Sequence, residues 1–197
     1  STRVRSSAAS DVYKRQLGMS ASQFNPPRKL WPAIAPTEND IDFRKRLMQG
    51  EVHDENAWAM GGVSGHAGLF STAGDATVFA QMILNGGIYA HHRILTRATI
   101  QEFTARQAIG DSARTLGWDA VTQPSSSGHY FSPNSFGHTG FTGTSLWIDP
   151  QRDLFVILLT NRVNPTRANE QIRQLRPAVH DAVMQALGLA NQPASAQ

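Results

Sequence analysis

Two strand-like runs, Thr144–Asp149 and Leu154–Asn161, flank the turn-forming tetrapeptide Pro150-Gln-Arg-Asp153. This pattern constrains the fold most, because it demands an antiparallel β-hairpin. The stretch Leu154-Phe-Val-Ile-Leu-Leu159 is continuously apolar, which predicts a strand buried on both faces. Leu116–Val121 reads as a further strand, and Ser125–Gly128 as a loop.

Helical spacing appears in three places. After Ser71 or Thr72 as cap, Val78, Phe79, Met82 and Ile83 form one apolar stripe, and Asn85-Gly86-Gly87 stops it. A shorter helix should follow Thr96 and turn Ile100 and Phe103 inward. A last helix should cover Asn169–Leu187 with Ile172, Leu175, Val179, Val183 and Leu187 inward, kinked or divided by Pro177 and ended by Gly188. Residues 25–57 hold Pro26, Pro27, Pro32 and Pro36 and read as an irregular excursion. Met60–Phe70 contains four glycines and predicts tight turns. The sum is an α+β fold, an antiparallel sheet flanked by helices.

Just before the hairpin stands Ser135-Phe-Gly-His-Thr-Gly-Phe-Thr-Gly-Thr-Ser-Leu-Trp-Ile-Asp149. It resembles the third active-site motif of the β-lactamase-related serine hydrolases, which include β-lactamases, penicillin-binding proteins and their esterase relatives. In that family a Lys-Thr-Gly or His-Thr-Gly triplet lies on the strand that walls the active-site cleft. Here the triplet is His138-Thr139-Gly140. Leu17-Gly-Met-Ser-Ala-Ser-Gln-Phe24 resembles a family segment that follows the second motif, Tyr-x-Asn. No Tyr-x-Asn occurs in this chain, and no serine is followed three residues later by lysine, the family's nucleophile pattern. Ser132-Pro133-Asn134 stands too close to the triplet for family order and reads as a loop. The resemblance therefore implies the C-terminal portion of a β-lactamase/transpeptidase-like fold, incomplete and separate from its nucleophile.

Charge sets other function classes aside. The formal net charge is +3, but Arg3, Arg5, Lys14 and Arg15 against Asp11 account for all of it. The remainder carries 14 basic and 14 acidic side chains. A nucleic-acid partner needs a basic face on the folded body, so none is expected. Residues 1–16 show neither helical nor strand periodicity and no signal-peptide core. They resemble translated library-adapter sequence, or form a natural polar linker. The domain is then expected over 17–188, with a mobile tail at 189–197. Cysteine is absent, which excludes disulfides and thiolate zinc sites. No apolar run is long enough to span a bilayer.

An acyl-transferring serine enzyme needs a nucleophile, a base and donors for the developing oxyanion. Carried over by resemblance, His138 and Thr139 bind a substrate carboxylate or support the proton network. Gly140 gives the substrate clearance against the strand, and the Phe141 N–H donates to the oxyanion. Histidine titrates near pH 6.5, where lysine stays charged, so a neutral His138 attracts a carboxylate less. That favours esters or cell-wall peptides over efficient β-lactam hydrolysis. His66, in Gly65-His66-Ala67-Gly68, reads either as a substrate contact or as a hydrogen-bonded anchor of its glycine loop.

The expected function is a serine hydrolase acting through an acyl-enzyme on an ester, amide or β-lactam, of esterase or penicillin-binding-protein type. The fragment itself should be inactive. The alternatives are a non-catalytic peptidoglycan- or peptide-binding module, and a metal-dependent hydrolase using His53, His66 and His138, whose spacing matches no known metal motif. No cofactor or metal is expected, and the partner is a small-molecule or cell-wall peptide substrate. A periplasmic or secreted setting follows from the resemblance alone. His129 and His180 read as rim and surface residues, Trp118 and Trp147 as core, and Asn161-Arg162 as structural hydrogen-bonding residues.

Overall fold

A computed structural model describes residues 15–107, 114–122 and 124–190. The chain divides into two compact units, one of residues up to 79 together with 160–170, the other of 80–159 and from 171 onward. The expected leader lies almost wholly outside the described residues, as does most of the expected tail.

In the first unit, β1 (Gln23–Phe24) leads to a 3₁₀ helix at Arg28–Ala33 and to the short pair β2 (Asn39–Asp40) and β3 (Arg46–Leu47). Helix α1 (Glu55–Ala59) follows, capped by Asp54, which accepts from the Ala57 N–H at 2.8 Å. These elements occupy the stretch read as irregular. Its prolines suit the 3₁₀ turn, and the rest is ordered by ion pairs that no periodicity reveals. Arg44 lies 2.6 Å from Asp40, and Arg167 reaches both Glu38 and Glu55. β4 (Leu69–Phe70) pairs antiparallel with β1. Asn161 donates to the Pro36 carbonyl, and Arg162 to the Arg167 and Asn169 carbonyls at 2.7 and 2.9 Å. Their expected structural role is thus met.

Helix α2 (Ala73–Leu84) begins where expected, with Thr72 Oγ1 accepting from the Asp75 N–H. Its C-terminus closes through Gly86 N–H to Ile83 O and Gly87 N–H to Met82 O, both 2.9 Å, satisfying two end carbonyls.

The second unit carries β5 (Ile88–Tyr89), β6 (His92–Arg93) and α3 (Arg97–Thr104), capped by Thr96. Ile100 is buried, but Phe103 is half exposed, contrary to expectation. The eight-residue α3 turns only a narrow face inward, and Phe103 lies off it.

The four-stranded sheet runs in the order β10-β9-β8-β7, all antiparallel, from β7 (Asp119–Ala120), β8 (Phe136–Thr139), β9 (Ser145–Asp149) and β10 (Leu154–Leu158). The hairpin is as expected. The Leu116–Val121 strand shrinks to two residues because a tight turn at Thr115–Trp118 uses its backbone groups. Strand β10 is an outer strand of this sheet. Only Val156 is buried within it, and Leu159 beyond it is half exposed, so it is not covered on both faces as its composition predicts.

Gly137 faces Trp147 across the β8–β9 register, and a Cβ there would lie 2.4 Å from the indole ring and 2.5 Å from the Leu146 carbonyl. The missing side chain lets Trp147, 1% exposed, seat in the core with Phe131, Val156 and Met184.

The final helix, α4 (Ile172–Ala186), is continuous through Pro177. An interior proline costs about 3 kcal/mol, which burial on either side offsets. Its inward row is Ile172, Arg176, His180 and Met184. The expected stripe is rotated, since Leu175 and Leu187 are about half exposed. His180, expected at the surface, is fully buried. Among the described residues no helix is long and apolar enough to cross a membrane.

Candidate active site

His138 and Thr139 end β8, where the pairing with β7 has already stopped at Gly137. The β9 side of the strand is paired, His138 with Leu146 and Thr139 with Ser145. The end of β8 is therefore held from one side and has no β7 partner on the other.

His138 is exposed, and its Nδ1 lies 2.9 Å from the Thr139 carbonyl. A carbonyl only accepts, so the Nδ1 N–H is the donor in this contact. Thr139 and Gly140 are half buried, and Phe141 is exposed. The turn after the triplet is tight. The Gly140 N–H donates to the Thr144 carbonyl at 2.8 Å, and the Gly143 N–H to the Gly140 carbonyl at 3.1 Å. A Cβ on residue 140 would stand 2.2 Å from Thr144 Oγ1, so glycine leaves room for that hydroxyl at the end of the strand.

Two polar residues behind this strand, Arg176 and Asp149, escaped the sequence reading, and His180 is not the surface residue expected. Arg176 Nη2 donates to the Gly140 carbonyl at 2.6 Å and to the Thr144 carbonyl at 2.9 Å. His180 Nδ1 donates to the Ser126 carbonyl at 2.7 Å. Asp149 accepts from the Ser132 N–H at 2.9 Å and the Ser132 hydroxyl at 2.6 Å. The one signal for Arg176 and His180 was their four-residue spacing with Ile172 and Met184, which polarity masked.

His66 belongs to the other unit. Both its ring nitrogens are engaged, Nδ1 with Ser64 Oγ at 2.7 Å and Nε2 with Asp54 Oδ1 at 3.0 Å. It thereby ties the glycine loop to the cap of α1. The Ala57 N–H, and after it His66, hold the Asp54 carboxyl below its usual range. His53, the third histidine of the metal alternative, is buried with Nε2 2.8 Å from Glu38. His129 pairs with Asp181 at 2.7 Å on α4.

The β-lactamase family model matches residues 9–180. The chain belongs to the β-lactamase family. Within it, a protein of Salmonella typhi provisionally named as a D-alanyl-D-alanine carboxypeptidase is 40% identical over 177 residues, covering 82% of this chain and 40% of its own length. A protein of Salmonella newport with the same provisional name matches equally. Among solved structures, a β-lactamase from Mycobacterium bovis superposes with a TM-score of 0.61 at 20% identity, covering 92% of this chain and 56% of its own. A penicillin-binding protein homologue from Caulobacter crescentus gives 0.57 at 15% identity, covering 88% and 52%. At these identities the solved structures speak for the fold alone.

The chain thus belongs to a family of β-lactamase-related serine hydrolases and has part of the β-lactamase/transpeptidase-like α+β fold. It spans 40% of the length of the curated relatives it matches.

Proposed function

We propose that this chain forms the third-motif wall of a serine hydrolase that works through an acyl-enzyme, of esterase or penicillin-binding-protein type, with a cell-wall peptide as its substrate class. The observation that carries the reading is the placement of His138-Thr139-Gly140 where β8 outruns β7, before a tight turn. In this role Thr139 and His138 line the substrate side. With Nδ1 turned to the Thr139 carbonyl, Nε2 is the ring nitrogen left to meet a substrate. Gly140 gives clearance, and the Phe141 N–H donates to the developing oxyanion. His66, with both ring nitrogens held by Ser64 and Asp54, fits the anchor of its own glycine loop. The carboxypeptidase names of the curated relatives support a peptide substrate.

No serine of this chain stands three residues before a lysine, so nucleophile and base come from residues outside it, and the chain alone is inactive. The same observation favours a second reading, a peptidoglycan- or peptide-binding module without chemistry. The upstream coding sequence should be recovered, and the completed protein treated with a fluorophosphonate and with a fluorescent penicillin. Labelling of a serine in an upstream Ser-x-x-Lys is expected. Absence of both the motif and the label would leave the binding module.

A further inference from the structure

We infer that Arg176 is a positioning residue whose guanidinium, reaching from α4, holds the Gly140 carbonyl and so orients the Gly140–Phe141 peptide. For the importance of the Phe141 N–H this rests on the function proposed above. The clamp itself rests on geometry.

Arg176 is 9% exposed, in the inward row of α4 between Ile172 and His180. A buried guanidinium is costly unless its N–H groups find acceptors. Two acceptors here are the carbonyls at the two ends of one turn, Gly140 at 2.6 Å and Thr144 at 2.9 Å. The backbone links the same ends through Gly140 N–H to Thr144 O at 2.8 Å. A cation from an element 36 positions along the chain therefore pins a turn that begins with a glycine. Glycine is the residue least able to hold its own backbone conformation.

A trans peptide is planar, with its C=O and N–H directed oppositely. Fixing the Gly140 oxygen on Arg176 fixes the Phe141 N–H on the other side of the same plane. The charge also draws electron density from the carbonyl and strengthens the N–H as a donor, as in any hydrogen-bond chain at low dielectric. Both effects exist before substrate arrives, as an oxyanion donor requires.

The test uses the protein completed by its upstream coding sequence, with ¹⁵N-phenylalanine, as wild type and as Arg176→Met, Arg176→Lys and Arg173→Met. Arg173 is exposed on the same helix and serves as control. Acylation by a p-nitrophenyl ester should fall on the order of 10- to 100-fold in kcat for Arg176→Met, a fraction of what losing a whole oxyanion donor costs, with KM changed less than about twofold. The Phe141 amide proton should shift in Arg176→Met while the other phenylalanine amides stay in place. Arg176→Lys should recover much of both, since an ammonium can also bridge two carbonyls, and Arg173→Met should match wild type. An unmoved Phe141 amide, a loss confined to KM, or a collapse of all phenylalanine amides in both Arg176 variants would overturn the inference. If wild type is acylated by no probe, the serine-hydrolase reading falls instead. The Phe141 shift then decides alone, with movement in Met and recovery in Lys for the clamp, and no movement against it.

Discussion

His180, with no exposed surface, donates from Nδ1 to the Ser126 carbonyl at 2.7 Å. Its ring stands edge-on to Phe131 at 5.8 Å, and Nε2 is buried without a hydrogen-bond partner among the described residues. Burial, the leading cause, pushes the pKa of the imidazole down. Protonation would place a second N–H where no acceptor stands.

The unfolded chain takes up that proton first, near pH 6.5. Stability from this group is therefore full above about pH 6.5 and is lost as pH falls towards the lower folded value. The urea midpoint should drop between pH 7.5 and 5, and His180→Gln should flatten that part of the slope. Identical slopes in variant and wild type would remove His180 from the account.

Asp149 is the second buried group with a legible consequence. It is fully buried at the end of β9 and accepts from both groups of Ser132 and from the Gln151 and Arg152 N–H groups at 3.1 and 3.3 Å. It thus fastens the loop before β8 and the hairpin turn together. Asp149→Ala leaves these donors without their acceptor and should destabilise by about 3–5 kcal/mol. Asp149→Asn, which keeps one acceptor oxygen, should lose less. A cost for the alanine variant below about 1 kcal/mol by urea denaturation would contradict this account.

In the first unit the side-chain hydrogen bond from Arg167 brings Glu38 down to a pKa of about 2. A depressed carboxyl contributes stability that is full above about pH 4.5, its unfolded value, and lost as pH falls towards 2. The whole shift corresponds to about 3 kcal/mol, and less in practice because Arg167 is partly exposed to solvent. Glu38→Gln should therefore lower the midpoint at pH 7 and lower it by much less at pH 2.5. An equal loss at both pH values would mean that charge plays no part.

The β8–β9 register makes Gly137 sensitive to a single methyl. Gly137→Ala brings its methyl onto both the Trp147 ring and the Leu146 carbonyl, and the latter is backbone. We expect a loss of about 1–3 kcal/mol in stability together with red-shifted tryptophan fluorescence. A variant as stable as wild type, with unchanged emission, would show that the sheet yields there.

Much of the local structure was legible without coordinates. Thr72, Thr96 and Gly86 act on neighbours within a few residues, so caps and stops follow from chemistry along the chain. The hairpin follows from Pro150–Asp153 for the same reason. The triplet His138-Thr139-Gly140 stands out because three unlike residues precede a strand pair in a set order. Residues 25–57 were not legible, because Arg44 and Arg167 order them through partners up to 129 positions away.

Sequence alone therefore determined the local elements, the neutral body and the motif that points to a β-lactamase-related serine hydrolase. Only the tertiary structure decided which row of α4 turns inward. Helical periodicity offers several rows, and hydrophobicity selected one through Leu175 and Leu187, which are about half exposed. The row chosen carries Arg176 and His180, because the carbonyls of Gly140, Thr144 and Ser126 face it. A buried cation or imidazole is tolerable only where such acceptors wait. Their presence depends on backbone brought near by folding, 32 to 54 positions away in sequence.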